Sequence, residues 1–255
     1  MITFGAGAMY GTPLTDAYGN AVTTASPIRF TAMQELALSF DGEIKQLYGE
    51  KTFALVVAKG KTKVTGSVKA AKVFGAALNS LYFGTGMAAG TMQAIYSDEV
   101  GTAIPASSPY TITPTLPNTG TAVDCLGVLD ASGAPMTRVS SSPTTGQYSY
   151  SAGAFTFAAA DTGLIVYPSL SYSYTLTSAK RIDLTNTVMG SSATFKAHIQ
   201  TVFQGKRALL ILEKVTSNKL GLLSTKVDDF SIPSFDFECA TNDAGTSLGT
   251  IYLSE

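Results

Sequence analysis

A single histidine, no tryptophan, two cysteines and a charged fraction of only 14% leave this 255-residue chain short of the side chains that most site chemistry uses. One imidazole, His198, cannot furnish a metal cluster, and Cys125 and Cys239 stand too far apart for any zinc-binding spacing. Two cysteines in a chain without an export signal read as free thiols rather than a bridge. A formal net charge of −1 argues against a dedicated nucleic-acid binder, while so neutral a surface lowers the repulsion between copies and is compatible with self-association. No apolar run is long enough to span a bilayer, and the opening MITFGAGAMYGTPLTDAYGN lacks the basic start and apolar core of a signal peptide. The expectation is a soluble, unexported polypeptide with no membrane partner.

What the chain does have is alternation. In the stretch from Gly146 to Leu176, Tyr148 and Tyr150 share one strand face, Phe155 and Phe157 share another, and Leu170, Tyr172, Tyr174 and Leu176 alternate with Ser171, Ser173 and Thr175. Period two with one apolar and one wet face means sheet, and tyrosine suits a pleated surface whose margin offers its hydroxyl a partner. The runs MQELALSF, KVTGSVKA, FKAHIQTVF, KRALLILEKV, FDFECA and LGTIYL repeat the pattern. With 45% hydrophobic residues the core is ample, and the fold class read from these features is mainly β, a sandwich or barrel-like arrangement. One helix stands out: in KVFGAALNSLYFG, Phe74, Ala77, Leu78, Leu81 and Tyr82 follow helical spacing and Gly84 offers a stop. Residues 1 to about 30 show no sustained period and read as an extended arm. Lysine is absent between Lys72 and Lys180, and short strand-like pieces separated by NTG, DASG, PTTG and SAG fill that interval. The organisation read from this shift is an outer β domain over 1–96 and 178–255, interrupted by a small β module over 97–177.

Catalytic constellations are missing. His198 alternates with Lys196 and Gln200 on the wet side of FKAHIQTVF, which predicts solvent or a subunit contact rather than a general base. KGKT at Lys59 to Thr62 lacks the phosphate-loop glycine, since Leu55 stands there, and GTGMAA at Gly84 follows a helix instead of a strand. No catalytic residue, cofactor or metal is expected. Two surface groups remain. Asp236 and Glu238 alternate with Phe235 and Phe237 in FDFE, so aromatics turn inward and carboxylates outward. Lys59, Lys61 and Lys63, with Glu43 and Glu50 nearby, decorate a strand pair; alternating lysines ordinarily keep a strand soluble, and they also suit contacts between subunits.

Taken together, FGAGAMYGTPLTDAYGN, LSFDGEIKQLYGEKTFALVVAKGKTKVTG, FGAALNSLYFG, YSYSAGAFTFAAADTG and KLGLLSTKVDDFSIPSFDFECATNDAGTSLGTIYLSE resemble the tail tube, or major tail, proteins of long-tailed bacteriophages. The resemblance covers most of the chain. It implies a β-sandwich subunit with one flanking α-helix, assembling into hexameric rings that stack into a hollow tube. It implies a place in the virion tail, assembly in the bacterial host cytoplasm, partners among tape measure and tail completion or baseplate proteins, and transient, non-specific passage of DNA. On this resemblance Asp236 and Glu238 become candidate lumen-facing residues, and Lys59, Lys61, Lys63, Glu43 and Glu50 candidate inter-subunit residues. A carbohydrate-binding or other virion-surface β module is the alternative, with exposed tyrosines as its stacking platforms.

Overall fold

A computed structural model describes residues 7–30, 33–71, 75–222, 227–228, 230 and 232–254. Strand accounts for 59% of the chain and helix for 6%, so the protein is mainly β. In chain order the described strands are β1 (Ala8–Thr15), β2 (Ile28–Phe30), β3 (Met33–Tyr48), β4 (Ala54–Ala70), β5 (Met87–Ser97), β6 (Thr102–Ala103), β7 (Thr111–Ile112), β8 (Thr121–Asp130), β9 (Thr137–Val139), β10 (Gln147–Ser151), β11 (Ala154–Phe157), β12 (Ile165–Ile182), β13 (Thr194–Phe203), β14 (Lys206–Gly221), β15 (Ser234–Ala240) and β16 (Gly249–Leu253). Between β4 and β5 a short helix, α1 (Gly75–Ala77), widens into a π turn, Leu78–Phe83. Two compact units result, one from residues 1–87 and 182–255 and the other from Ala88–Arg181. The second unit thus starts before 97 and ends after 177, because β5 belongs to it from Ala88 onward and β12 runs past 177 to Ile182.

The first unit is built on an eight-stranded antiparallel sheet in the order β2-β1-β13-β14-β15-β4-β3. Strand β14 has β13 along one side; along the other it has first β16 and then β15. One face of the sheet carries the core, in which Met9, Leu81, Phe195, Leu212, Val215 and Phe237 are fully buried. The helical segment lies on that face, and its Leu81 fits because β1 offers Gly11: a Cβ there would stand 2.7 Å from Leu81 Cδ1. Gly84, at φ 62°, ends the segment and returns its N–H to the carbonyl of Asn79, as left-handed caps do. Lys72 to Phe74, which the sequence pattern includes in this helix, lie outside the described residues. A second close approach occurs at Gly66, whose missing side chain leaves room for the ring of its cross-strand partner Phe237.

The reading of residues 1 to about 30 as an arm needs correction over Ala8–Thr15. There the chain is strand β1, registered against β13 from Ala8↔Gln200 to Thr15↔Thr194, with Met9 wholly buried. Its core-facing positions are Met9, Gly11 and Pro13, two of which carry too little apolar mass to show a period, so the pattern is visible only once Leu81 is seen to fill the space over Gly11.

The second unit is a sandwich of two four-stranded sheets. One runs β7-β11-β10-β9; in the other, β12 has β8 on one side and β5 and β6 on the opposite side. The pairs β7–β11, β11–β10, β12–β6 and β12–β8 are antiparallel, and β9 with β10 is parallel. Between the sheets lie Ile104, Val128, Phe155, Val166 and Leu170 together with Tyr148 and Tyr172, the latter two only 3% and 6% exposed. Tyr148 faces Phe157 across the β10–β11 hairpin and Tyr150 faces Phe155, the hairpin turning at Ala152 and Gly153, both at positive φ. The alternating aromatics of Gly146 to Leu176 are therefore interior packing.

Candidate functional site

Strands β3 and β4 pair from Met33↔Ala70 outward to Tyr48↔Ala54, but β15 accompanies β4 only from Lys69 to Thr65. Beyond the Glu238–Thr65 pair, residues 40–63 continue as a two-stranded ribbon. Its register puts Leu47 beside Val56 on one face and Gln46 beside Val57 on the other. Apolar side chains consequently occupy both faces: Phe40, Ile44, Leu47, Tyr48, Phe53, Leu55, Val56 and Val57 are all more than half exposed, Phe53 reaching 86%. Two-stranded ribbons are marginal in water by themselves, and exposed apolar strands pair with other chains unless something covers them. The area these eight side chains leave uncovered is on the order of 900 Å², close to the ~800 Å² that each partner contributes to a standard protein–protein interface.

Asp236 and Glu238 lie on the sheet face opposite the core, as their alternation with Phe235 and Phe237 dictates. Glu238 is not free: Lys63 Nζ stands 3.1 Å from its carboxylate. Asp236 sits opposite Lys219 in the β14–β15 register, and Lys69 pairs with Glu35 at 2.6 Å on the neighbouring strands. With Lys196 and Glu213 bonded at 2.9 Å further along, this wet face neutralises itself by cross-strand pairs and presents an open trough lined by Ser39, Thr65, Ser67, Lys219 and Asp236. Exposed pairs of this kind contribute about 0–1 kcal/mol each to stability, so their effect is on surface potential. Lys59, Lys61, Glu43 and Glu50 lie on the ribbon, exposed, and make no ion pair among the described residues. Sequence reasoning named both ends of the Lys63–Glu238 pair without joining them, because non-local register leaves no local signal.

His198 lies on the same wet face, between Tyr10 of β1 and Ile211 of β14. Cys125 and Cys239 are free, partly buried thiols, one in each unit, and among the described residues no cluster of acidic, histidine or cysteine side chains is suited to a metal. Asp161 is the buried carboxylate of the second unit; its Oδ2 accepts the Gly146 N–H at 2.9 Å and so ties the turn after β11 to the loop before β10. No described helix is long and apolar enough to cross a membrane. With Tyr148 and Tyr172 turned inward, and Arg138 over the ring of Tyr150 at 5.4 Å, the sandwich lacks the bare tyrosine faces that sugar stacking requires at those positions.

The Tyr148 phenol is held by burial and by Cys125, whose Sγ is 3.6 Å from its oxygen, and its pKa is pushed up to about 12. Raising the folded-state pKa of an acid above its ordinary value of 10 stabilises the fold fully below pH 10, and that contribution is lost as pH climbs toward 12. The second unit is expected to lose stability over this alkaline range. In an alkaline titration followed by tyrosinate absorbance, Tyr148→Phe should remove the latest-titrating phenol and flatten the alkaline fall in stability. An unchanged profile would show that Tyr148 ionises like an exposed residue.

Compared with models of known families and with curated proteins, the chain matches neither.

Proposed function

We propose that this protein is a self-assembling structural subunit, a tail tube protein of a long-tailed bacteriophage, whose copies form rings that stack into a conduit for DNA. The observation that carries the proposal is the ribbon at residues 40–63, an interface-sized apolar surface on two faces of one projection, which only association would cover. Strands β2 and β3 stand at opposite ends of the sheet order, and closing neighbouring sheets into a ring removes such edges. The sixfold ring, the virion location and the tape measure, completion and baseplate partners rest on the sequence resemblance. The wet sheet face supports the conduit part of the proposal: phosphate contacts strengthen binding through counterion release, so a wall whose lysines are already answered by Glu238 and Glu35 lets a duplex slide. Asp236 and Glu238 are assigned to that wall.

Negative-stain electron microscopy of the purified chain over a concentration series tests the reading. Rings or tubes of uniform bore are expected. A particle that stays monomeric at every concentration would refute it and return attention to a surface-binding module.

A further inference from the structure

The two outer faces of the second unit's sandwich differ in kind. On the sheet β7-β11-β10-β9 the outward positions carry small or polar residues such as Ser149, Thr111 and Thr156, the last two sharing a hydrogen bond at 3.1 Å, and the large apolar side chains of 131–163 are buried or half-buried. The sheet built on β12 is the opposite case. Strand β12 turns Val166, Leu170 and Tyr172 into the core, so Ile165, Tyr167, Ser169 and Ser171 face outward. An apolar field surrounds Ile165 and Tyr167. Leu129 pairs with Tyr167, and a register shift beside Ser169 leaves Leu126 without a cross-strand partner. The turn after β5 packs so closely that a Cβ on Gly101 would stand 2.5 Å from Ile165 Cγ2 and 2.9 Å from Tyr167 Cε1. Ile95 shares this face, two residues before Ser97, whose hydroxyl meets that of Ser169 at 3.0 Å. Val100 and Ile95 are 88% and 72% exposed, Leu126, Leu129 and Ile165 51%, 44% and 38%. Together these five leave on the order of 500 Å² of apolar surface open, toward the upper end of the ~300–600 Å² that the largest patch on an ordinary monomer reaches.

Charge says what fits there. Asp98 and Glu99 in the turn after β5, Asp124 opposite Ser171 and Asp130 opposite Val166 border the field. No lysine, arginine or histidine occurs in 87–103, 121–130 or 165–179, the segments that build this sheet. Two of the carboxylates are fixed in place: Asp98 accepts from the N–H groups of Val100 and Gly101 and the Thr102 hydroxyl, and Asp130 from the N–H groups of Ser132 and Ala134. We propose that this face docks a partner protein whose contact surface sets lysines or arginines around an apolar centre. An apolar centre within a charged border is the layout of a protein interface, and with the border included the face approaches the ~800 Å² that each partner contributes to a standard one. A second copy fits poorly, because two such faces would set four carboxylates against four with no base between them. Nucleic acid and anionic lipid are repelled for the same reason. The surface belongs to the second unit alone, so this docking stands or falls separately from the assembly reading.

The probes are two fluorescein-labelled amphipathic helical peptides of equal length, one with leucine and lysine faces and the other with leucine and glutamate faces, titrated with the full chain and followed by anisotropy. Saturable binding of the lysine peptide that weakens with added salt, and none of the glutamate peptide, is the expected result. Ile95→Ser with Leu126→Ser, and separately Glu99→Lys with Asp124→Lys, should each weaken that binding by roughly tenfold or more. Because a substituted chain can fail to fold, hydroxyl-radical footprinting of the unsubstituted chain is read alongside. The lysine peptide should shield Ile95, Val100, Leu126 and Leu129 while Phe53 and Leu55, equally open in the first unit, stay reactive. Binding of both peptides, unchanged affinity in folded variants, or shielding confined to other residues overturns the inference. So does a dimer of the chain alone, seen by sedimentation, that Ile95→Ser with Leu126→Ser abolishes, since the face would then be covered by its own copy.

Discussion

Deleting residues 2–25 is expected to unfold the eight-stranded unit outright. The deletion removes β1, and with it the backbone ladder to β13, the wholly buried Met9 and the surface over which Leu81 packs; β2 loses the one strand it pairs with among the described residues. Truncating one buried side chain of this size costs about 2–5 kcal/mol, and β13 also loses its backbone partners along one whole edge, so the combined loss is comparable to the ~5–15 kcal/mol by which domains are ordinarily stable. The second unit has its own core and should survive. Limited proteolysis of the deleted chain should therefore leave a resistant fragment near 88–181 and digest the remainder. A soluble monomer with undiminished strand content would show instead that Ala8–Thr15 docks as a dispensable arm.

That strand also shows where sequence pattern stops being informative. Alternation reveals a strand when the inward positions are bulky, as in FDFE or FKAHIQTVF, where Phe235, Phe237, Phe195 and Ala197 are indeed buried. In β1 the inward Gly11 is small because the neighbour on the helix is large, and complementarity between distant segments has no period. Gly66 opposite Phe237 repeats the lesson: within KVTGSVKA it reads as a weak point in a strand, and only the register turns it into a seat for a ring.

The limits of the second unit were blurred for a related reason. The lysine-poor interval runs from Lys72 to Lys180, so the return of basic residues coincides with the limit at Arg181, whereas the opposite limit at Ala88, near the start of β5, carries no compositional mark. The aromatic stretch was legible in full, since its partners Tyr148 and Phe157, Tyr150 and Phe155 are brought together by a two-residue turn that sequence displays. Ion pairing on the wet face was half legible. Each strand shows its charges, yet the neutrality of the face depends on Lys63 meeting Glu238 across an interface between segments far apart in the chain.

Replacing Leu47, Phe53 and Leu55 together by serine is expected to abolish assembly while leaving the monomer folded. All three side chains are at least 62% exposed, and surface substitutions usually alter stability by no more than about 0.5 kcal/mol each, so the thermal transition should move little. In an assembled contact the same side chains would each contribute up to about 1.5–3 kcal/mol through burial. Losing even half of that at three positions weakens every contact by a few kcal/mol, and since 1.4 kcal/mol is a factor of ten, the concentration needed for assembly should rise by roughly a hundredfold or more. If the proposed rings stack through this contact, each added ring repeats the penalty at every subunit. Sedimentation velocity across a concentration series, paired with circular dichroism, separates the outcomes. A folded triple variant that sediments as a monomer where the unsubstituted chain forms large particles is the expected result. Equal assembly by both would mean that the ribbon is bare in the particle as well, and the subunits would have to be held by the sheet edges at β2 and β3 instead.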